Sequence, residues 1–264
     1  RFTMYANSPL NTHAERLIFI LSYLKINPLQ EDQADRFGLT QKQVNGFVHG
    51  LKPILDKALT RAKVMPAQTD AQFQERITAL NQDPHSPLVL MHDATERPVP
   101  RPVDPVQQEA LYSGKKKRHT LTNTFIITTL SFILFLSKSV AGRIHDKYIA
   151  DHAYRIPAGV ELWQDTGYQG YGPIGVTVFQ PMRKPRGRDL TDAQQSYNQS
   201  VSRVRVQIEH VIGSSKRYRI VKDVCRVRKA GFIETVLHTC AGLHNFRVVS
   251  NPFKYPDYQK PKLT

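Results

Sequence analysis

Leu17, Ile20, Leu21 and Leu24 recur three and four positions apart, the period of one helix face, and "THAE" (Thr12 to Glu15) just before them has the form of a capping box. The spacing predicts an N-terminal helix. In "EDQADRFGLTQKQVNGFVHGL", Ala34, Gly38 and Val44 suit a helix-turn-helix, with a small residue where helices touch, glycine in the turn and an apolar anchor beyond. A second capping box, Thr40 to Gln43, opens the following helix, whose outward positions would be Gln41, Lys42, Asn45 and His49. These side chains can hydrogen-bond base edges or phosphates, although an ordinary helical hairpin fits the same letters equally well. Pro53 is expected to kink or restart the helix, and "DAQFQERITAL" predicts another with Phe73, Ile77 and Leu80 inward.

After the polar break "NQDPHSP" (residues 81 to 87) the period changes. "LVLMHDATE" reads as a short strand ending at Asp93, and "RPVPRPVDP" is too rich in proline for a central strand. "HTLTNTFIITTLSFILFLSKSVA" (residues 119 to 141) predicts two strands in a hairpin, with Ser131 near the break. "HDKYIADHAYRI" reads as a helix, "ELWQDTGYQG" as a strand entering a glycine-bearing turn after Asp165, and "VTVFQPM" as a further strand. A basic loop then leads to a long helix capped at Thr191 to Gln194, with Val201, Val204, Ile208 and Val211 on one stripe and Ser202, Arg205, Glu209 and Lys216 on the next. A last helix is expected over about residues 229 to 248. The organisation that follows is a helical part over residues 1–86, a mixed α/β part over 87–250 and a loose arm over 251–264.

Composition changes this picture mainly through charge. Lys and Arg number 37 against 22 Asp and Glu, a formal +15. Residues 1–86 hold 10 basic and 8 acidic side chains, so nearly all of the excess lies beyond them and points to a polyanion, most simply nucleic acid. Cys225 and Cys240 are too few for a disulfide framework and suit a reducing cytoplasm. The most apolar run, residues 124 to 136, is too short to span a bilayer. No signal peptide precedes the first helix, and a start at Arg1 rather than Met reads as a chain that has lost its beginning.

Three acids then stand out: Asp93 and Asp165 near strand ends, and Glu209 within the long helix. Taken alone, Glu209 fits a surface ion pair with Arg205, worth tenths of a kcal/mol. Brought together, three carboxylates repel one another unless cations neutralise them, and hard oxygen ligands select Mg2+ or Mn2+. Two such ions suit phosphodiester cleavage.

"HDATERPVPRP", "YSGKKKRHTLT", "GRIHD", "WQDTGYQG" and "NQSVSRVRVQIEHVIGSSKRY", in that order, resemble the motifs of DDE transposases of the bacterial insertion-sequence type related to the PIF/Harbinger superfamily. The resemblance implies an RNase H-like mixed sheet flanked by helices, preceded by an all-α helix-turn-helix part. It implies Asp93, Asp165 and Glu209 as catalytic residues and ligands of two divalent ions, Mg2+ or Mn2+. The implied activity is metal-dependent hydrolysis at terminal inverted repeats, followed by attack of the freed 3′-hydroxyl on target DNA, by a homodimer or larger synaptic assembly at the bacterial nucleoid. In such enzymes the last motif carries Tyr, Arg, Glu and Lys at fixed spacing; Arg205, Glu209 and Lys216 match, and Ser202 stands at the tyrosine position. Phosphate-binding candidates are Arg205 and Lys216, then Lys115, Lys116, Lys117 and Arg118 entering a strand, and Arg183, Lys184, Arg186 and Arg188 in the basic loop. His145 and Asp146 match the family's His-Asp pair, with helix capping as the competing role. A DNA-binding regulator that no longer cuts, and an RNase H-like nuclease without strand transfer, are the alternative functions.

Overall fold

The computed structural model describes residues 8–80, 87–227, 229 and 231–252. Thr12 caps helix α1 (His13–Ile26) as its sequence predicts: its hydroxyl accepts the Glu15 N–H at 3.1 Å, and the Glu15 carboxylate accepts the Thr12 N–H at 2.9 Å. Helix α2 (Gln30–Phe37) stops where Gly38 adopts φ +61°, a left-handed conformation that glycine enters without steric cost. Thr40 and Gln43 form the second capping box, and α3 (Gln41–Arg61) follows. Ala34 and Val44 are buried on either side of the turn. Pro53 neither ends nor restarts α3, which runs on to Arg61; its missing N–H costs one hydrogen bond, while Val48, Leu51, Leu55 and Leu59 keep both halves of the helix in the core. Helix α4 (Asp70–Leu80) buries Phe73 and Ile77, whereas Leu80 is half exposed. The proposed boundary within residues 81–86 and most of the C-terminal arm lie outside the described residues.

Strand β1 (Val89–Pro98) does not end at Asp93 but passes through it. It pairs antiparallel along most of its length with β3, from Leu90↔Thr128 to Pro98↔Thr120, and parallel with β6 only over Val89–Met91. Its second half therefore has a free edge, where Pro98 deprives the sheet of no ladder bond. Helix α5 (Pro105–Leu111), capped by Asp104, leads through β2 (Tyr112–Ser113) into β3 (Arg118–Thr128). The predicted hairpin is completed by β4 (Ile133–Leu136), with Ser131 at φ +63° in the turn, and the short β5 (Val140–Ala141) also pairs with β3. Helix α6 (Asp146–Ala153) makes the crossover to β6 (Glu161–Trp163), which a parallel neighbour requires. A 3₁₀ turn, Thr166–Tyr168, and β7 (Thr177–Phe179), parallel to β6, follow. The order β2-β3-β1-β6-β7, with β4 and β5 beside β3, makes a mixed sheet.

Helices cover this sheet on both faces. Leu90, Ile126, Leu134 and Leu162 share one core with Phe73 and Ile77 of α4, Ala150 of α6, and Tyr154. Met91, Phe125, Ile127 and Trp163 face the other way, into a core with Val201, Ile208 and Val211 of α7 (Asp192–Ser215). Short α8 (Arg219–Lys222) and α9 (Phe232–Ser250) add Ile220, Val236 and Leu237 to that second core, and Phe19, Tyr23, Val44 and Val48 of the N-terminal helices belong to it as well. Among the described residues no helix is long and apolar enough to cross a membrane.

Candidate active site

The parallel register fixes where the two strand acids point. Met91↔Trp163 is the last paired couple of β1 and β6, and both residues are buried on the α7 face. Side chains alternate along a strand, so Asp93 and Asp165, each two positions further on, are directed toward that same face. Helix α7 supplies the group between them: the Arg205 guanidinium lies 3.5 Å from Asp93 Oδ2 and 3.3 Å from Asp165 Oδ1. Burial raises the Asp93 carboxyl to about 6, with Arg205 opposing the rise and Asp165 and Asp146 adding to it. Crowded carboxylates held by one cation offer the hard oxygen donors that suit a divalent ion.

Glu209 stands one turn beyond Arg205 on α7 and is exposed. Among the described residues no ion pair joins it to Arg205, whose charge is engaged by the two aspartates instead. Nor do three or more His, Cys, Asp or Glu among the described residues come close enough to hold one metal ion. The structure thus assembles Asp93 and Asp165, and leaves Glu209 on the neighbouring turn outside the pair.

Asp146 joins the pair electrostatically. His145 is the N-cap residue of α6 but makes no side-chain capping bond, so the capping role weighed for it finds no support. The Asp146 carboxylate sits beside Gly167, where an added Cβ would lie 3.0 Å from its Oδ2; burial raises its pKa, which Lys115 lowers and Asp165 and Glu96 raise further. The basic turn 114–117 therefore reaches the site: Lys115 acts on Asp146, and Lys116 on Lys216. Lys117 and Arg118 are exposed at the entry to β3. Arg183, Lys184, Arg186 and Arg188 are also exposed, with Lys184 paired to Asp189 at 2.5 Å rather than to the aspartates. Ser202 is exposed on α7.

Lys216, at the end of α7, donates to the Glu96 carbonyl at 2.8 Å, and burial brings its ammonium down to about 8, helped by Lys116. This gives a first prediction. With Lys216 as a candidate phosphate contact, loss of its charge as pH rises through about 8 predicts that the affinity for DNA falls over pH 7 to 9, and that Lys216→Arg flattens that fall because guanidinium stays charged. Fluorescence anisotropy at constant ionic strength measures it; equal slopes for the two proteins would remove Lys216 from the DNA contact. The stability sign is separate: the depressed pKa makes the charged form unfavourable in the folded state, so this group destabilises below about 8 and is relieved as pH rises toward its ordinary 10.5.

Three further residues escaped the sequence reading. Arg97, 2% exposed, donates to Asn123 Oδ1, Ser139 Oγ and the Ile233 carbonyl, and so ties β1 to β3 and α9. His92 and Gln164, each immediately before one aspartate, hydrogen-bond to one another at 2.9 Å in the opposite core. The letters "HD" and "QD" were in plain sight, but their partnership depends on strand register. Trp163 stacks on Phe179 beneath the site, and Tyr168 is fully buried against His92.

Gln41, Lys42 and Asn45 are exposed along α3. His49 is half-buried, its ring edge-on to Phe232 at 5.8 Å. Gln41, Asn45 and His49 line a cavity of about 620 Å³ together with Arg226 and Lys229, which bring positive charge to that helix face.

The chain is 30% identical over 162 residues to the "Probable transposase for insertion sequence element IS702" of Microchaete diplosiphon, an alignment that takes in 61% of this chain and 57% of that protein. It is 23% identical over 236 residues to the "Putative transposase for insertion sequence element IS112" of Streptomyces albus G, across 88% of this chain and 78% of that protein. No solved structure matches the chain. The family model described as DDE superfamily endonuclease matches residues 92–245, more than half of the chain, and spans Asp93, Asp165 and Glu209. The chain belongs to that family, the DDE superfamily endonucleases.

Proposed function

We propose that this chain is an insertion-sequence transposase that binds the terminal inverted repeats of its element, cleaves the ends and joins the 3′-hydroxyl ends to target DNA. The observation that carries the reading is the convergence of Asp93 and Asp165 on one sheet face, held by Arg205 from the helix that also bears Glu209. Membership in the family implies dependence on a divalent metal. Asp93 and Asp165 would hold it, with Glu209 as the third ligand, and Mg2+ or Mn2+, as two ions, would supply Lewis-acid stabilisation of the attacking and leaving oxygens. Arg205 and Lys216, with Lys115 and Lys116 at the rim, place cations around the scissile phosphate, and Lys117, Arg118 and the 183–188 loop extend that surface along the backbone of the DNA.

The mixed sheet, with antiparallel strands on one side of β1 and parallel ones on the other, supports an RNase H-like catalytic part over residues 87–250. The α2–turn–α3 unit, with exposed Gln41, Lys42 and Asn45 beside His49, supports a helix-turn-helix part over 1–86, and residues 251–264 have the composition of an arm. Pairing two element ends calls for a homodimer or larger assembly, acting at the bacterial nucleoid.

Incubating the chain with labelled end DNA and a target plasmid in Mg2+ tests this directly. Joined products are expected. Cleavage without joining would assign a nuclease, and binding alone a DNA-binding regulator. Substituting Lys42 or Asn45 with Ala should reduce specific end binding roughly tenfold, the scale of one base-edge contact, without changing the single-turnover cleavage rate at saturating protein. Unchanged discrimination between end and random DNA would refute α3 as the reading helix.

A further inference from the structure

The backbone ladder between β1 and β6 stops at Met91↔Trp163, two residues short of the point where the sheet must hold two mutually repelling carboxylates at a fixed separation. Continuing the same register by one step pairs His92 with Gln164, and by two steps Asp93 with Asp165. The first of these steps is made by side chains. His92 Nε2 lies 2.9 Å from Gln164 Oε1, and the rest of the network fixes the direction of that bond. Gln164 Nε2 donates to the Tyr171 carbonyl at 3.0 Å, which leaves Oε1 as the acceptor; His92 Nε2 therefore carries the proton, and Nδ1 accepts from the Tyr154 hydroxyl at 2.7 Å. His92 and Gln164 are both 0% exposed, and the imidazole stacks on Tyr168 at 3.9 Å between ring centroids. Beyond it, Gln180 Nε2 donates to the Asp165 carbonyl at 2.7 Å, and Gln164 N–H to the Phe179 carbonyl, so the backbone on either side of the second aspartate is anchored to β7 or its extension.

We infer that His92 and Gln164 are positioning residues: their buried side-chain bond extends the β1–β6 ladder on the α6 face and thereby sets the spacing of the Asp93 and Asp165 carboxylates on the α7 face. The inference rests on the reading of the two aspartates as metal ligands. Its physical basis is that adjacent residues on a strand point to opposite faces, so a clasp on one face constrains the backbone from which the ligands on the other face project. Burial makes the clasp stiff, because a competing water has no access and either partner left alone would bear an unsatisfied polar group.

The test reads metal binding rather than activity. The full chain is titrated with Mn2+ alone by calorimetry, and end-DNA binding in EDTA is measured alongside. Gln164→Met keeps the volume and removes the acceptor; it should weaken Mn2+ binding about 10- to 100-fold, the usual scale for a group supporting a metal ligand, with DNA affinity in EDTA unchanged. His92→Phe should do the same, and the double variant should be no worse than either single one, because both remove one shared bond. Tyr154→Phe, which spares the His92–Gln164 bond, should have less than a threefold effect. Should Gln164→Met not fold, Gln164→Asn, one methylene too short to reach, makes the same measurement. Unchanged Mn2+ affinity in the Gln164 variant, with binding abolished by Asp165→Asn, overturns the clasp alone, as do effects that multiply in the double variant. Unchanged Mn2+ affinity in Asp165→Asn overturns the ligand reading and the clasp with it.

Discussion

Asp93→Asn is expected to lower metal-dependent cleavage of end DNA by roughly 10²- to 10³-fold or more and, at neutral pH, to raise the thermal midpoint of the folded chain. The two effects share a cause. Burial on the α7 face raises the Asp93 carboxyl from an ordinary 3.8 to about 6, even with Arg205 opposing the rise. Between those values the folded chain binds the proton more tightly than the unfolded chain, so stability falls as pH rises through that window, and the penalty is fully present above about 6. Its size is on the order of 2–3 kcal/mol. An amide carries no such penalty, so the variant should melt several degrees higher at pH 7 and about level with the parent near pH 4. The loss of cleavage is expected from removing the anionic oxygen proposed as a metal ligand while its neighbours Asp165 and Arg205 remain.

Glu209→Gln makes the informative contrast. Its side chain is exposed, so stability should change by less than about 0.5 kcal/mol, yet cleavage should fall as far as it does for Asp93→Asn, with end-DNA binding retained. Single-turnover cleavage, anisotropy and melting curves on the three proteins decide it. Cleavage surviving in the Asp93 variant would dismiss the strand pair as ligands; cleavage surviving only in the Glu209 variant would dismiss the helix carboxylate and leave the pair standing.

How much of this was legible in the letters depends on how local each signal is. The capping boxes at Thr12, Thr40 and Thr191 are read within four residues and occur where the spacing puts them. The hairpin around Ser131 and the strand before Asp165 are equally local. The end of β1 was misplaced because prolines argue against a central strand, whereas this stretch has a partner on one side only. Arg205 and Glu209 show the limit of helical spacing: an i,i+4 pair is worth tenths of a kcal/mol, and two carboxylates from neighbouring strands capture the guanidinium instead. The His92–Gln164 bond depends on a parallel register between segments some 70 residues apart, which nothing in either segment encodes alone, and the approach of Asp146 to Asp165 depends on how α6 packs against the turn after β6.

Asn245→Leu is expected to destabilise the chain by about 3–5 kcal/mol, a fall of roughly 10 °C in thermal midpoint, although the two side chains are close in size. Asn245 is fully buried in α9. Its Oδ1 accepts the Ile133 N–H at 2.7 Å, and its Nδ2 donates to the carbonyls of Ile133 and Val64, both at 2.9 Å. With Ala67, whose backbone exchanges hydrogen bonds with Leu134 and Leu136, it closes the outer edge of β4. A leucine fills the space but strands three backbone groups, each costing about 1–3 kcal/mol when buried without a partner. A loss below 1 kcal/mol by urea or thermal unfolding would mean that the edge satisfies itself by other means. The same contacts bear on how the chain divides: the segment after α3 that reaches β4, and the α3 side chains in the α9 core, attach the N-terminal helices to the sheet that carries the aspartates. Removing residues 1–80 therefore uncovers both the edge of β4 and the apolar face of α9. The N-terminal helices are part of the support of the sheet that carries Asp93 and Asp165.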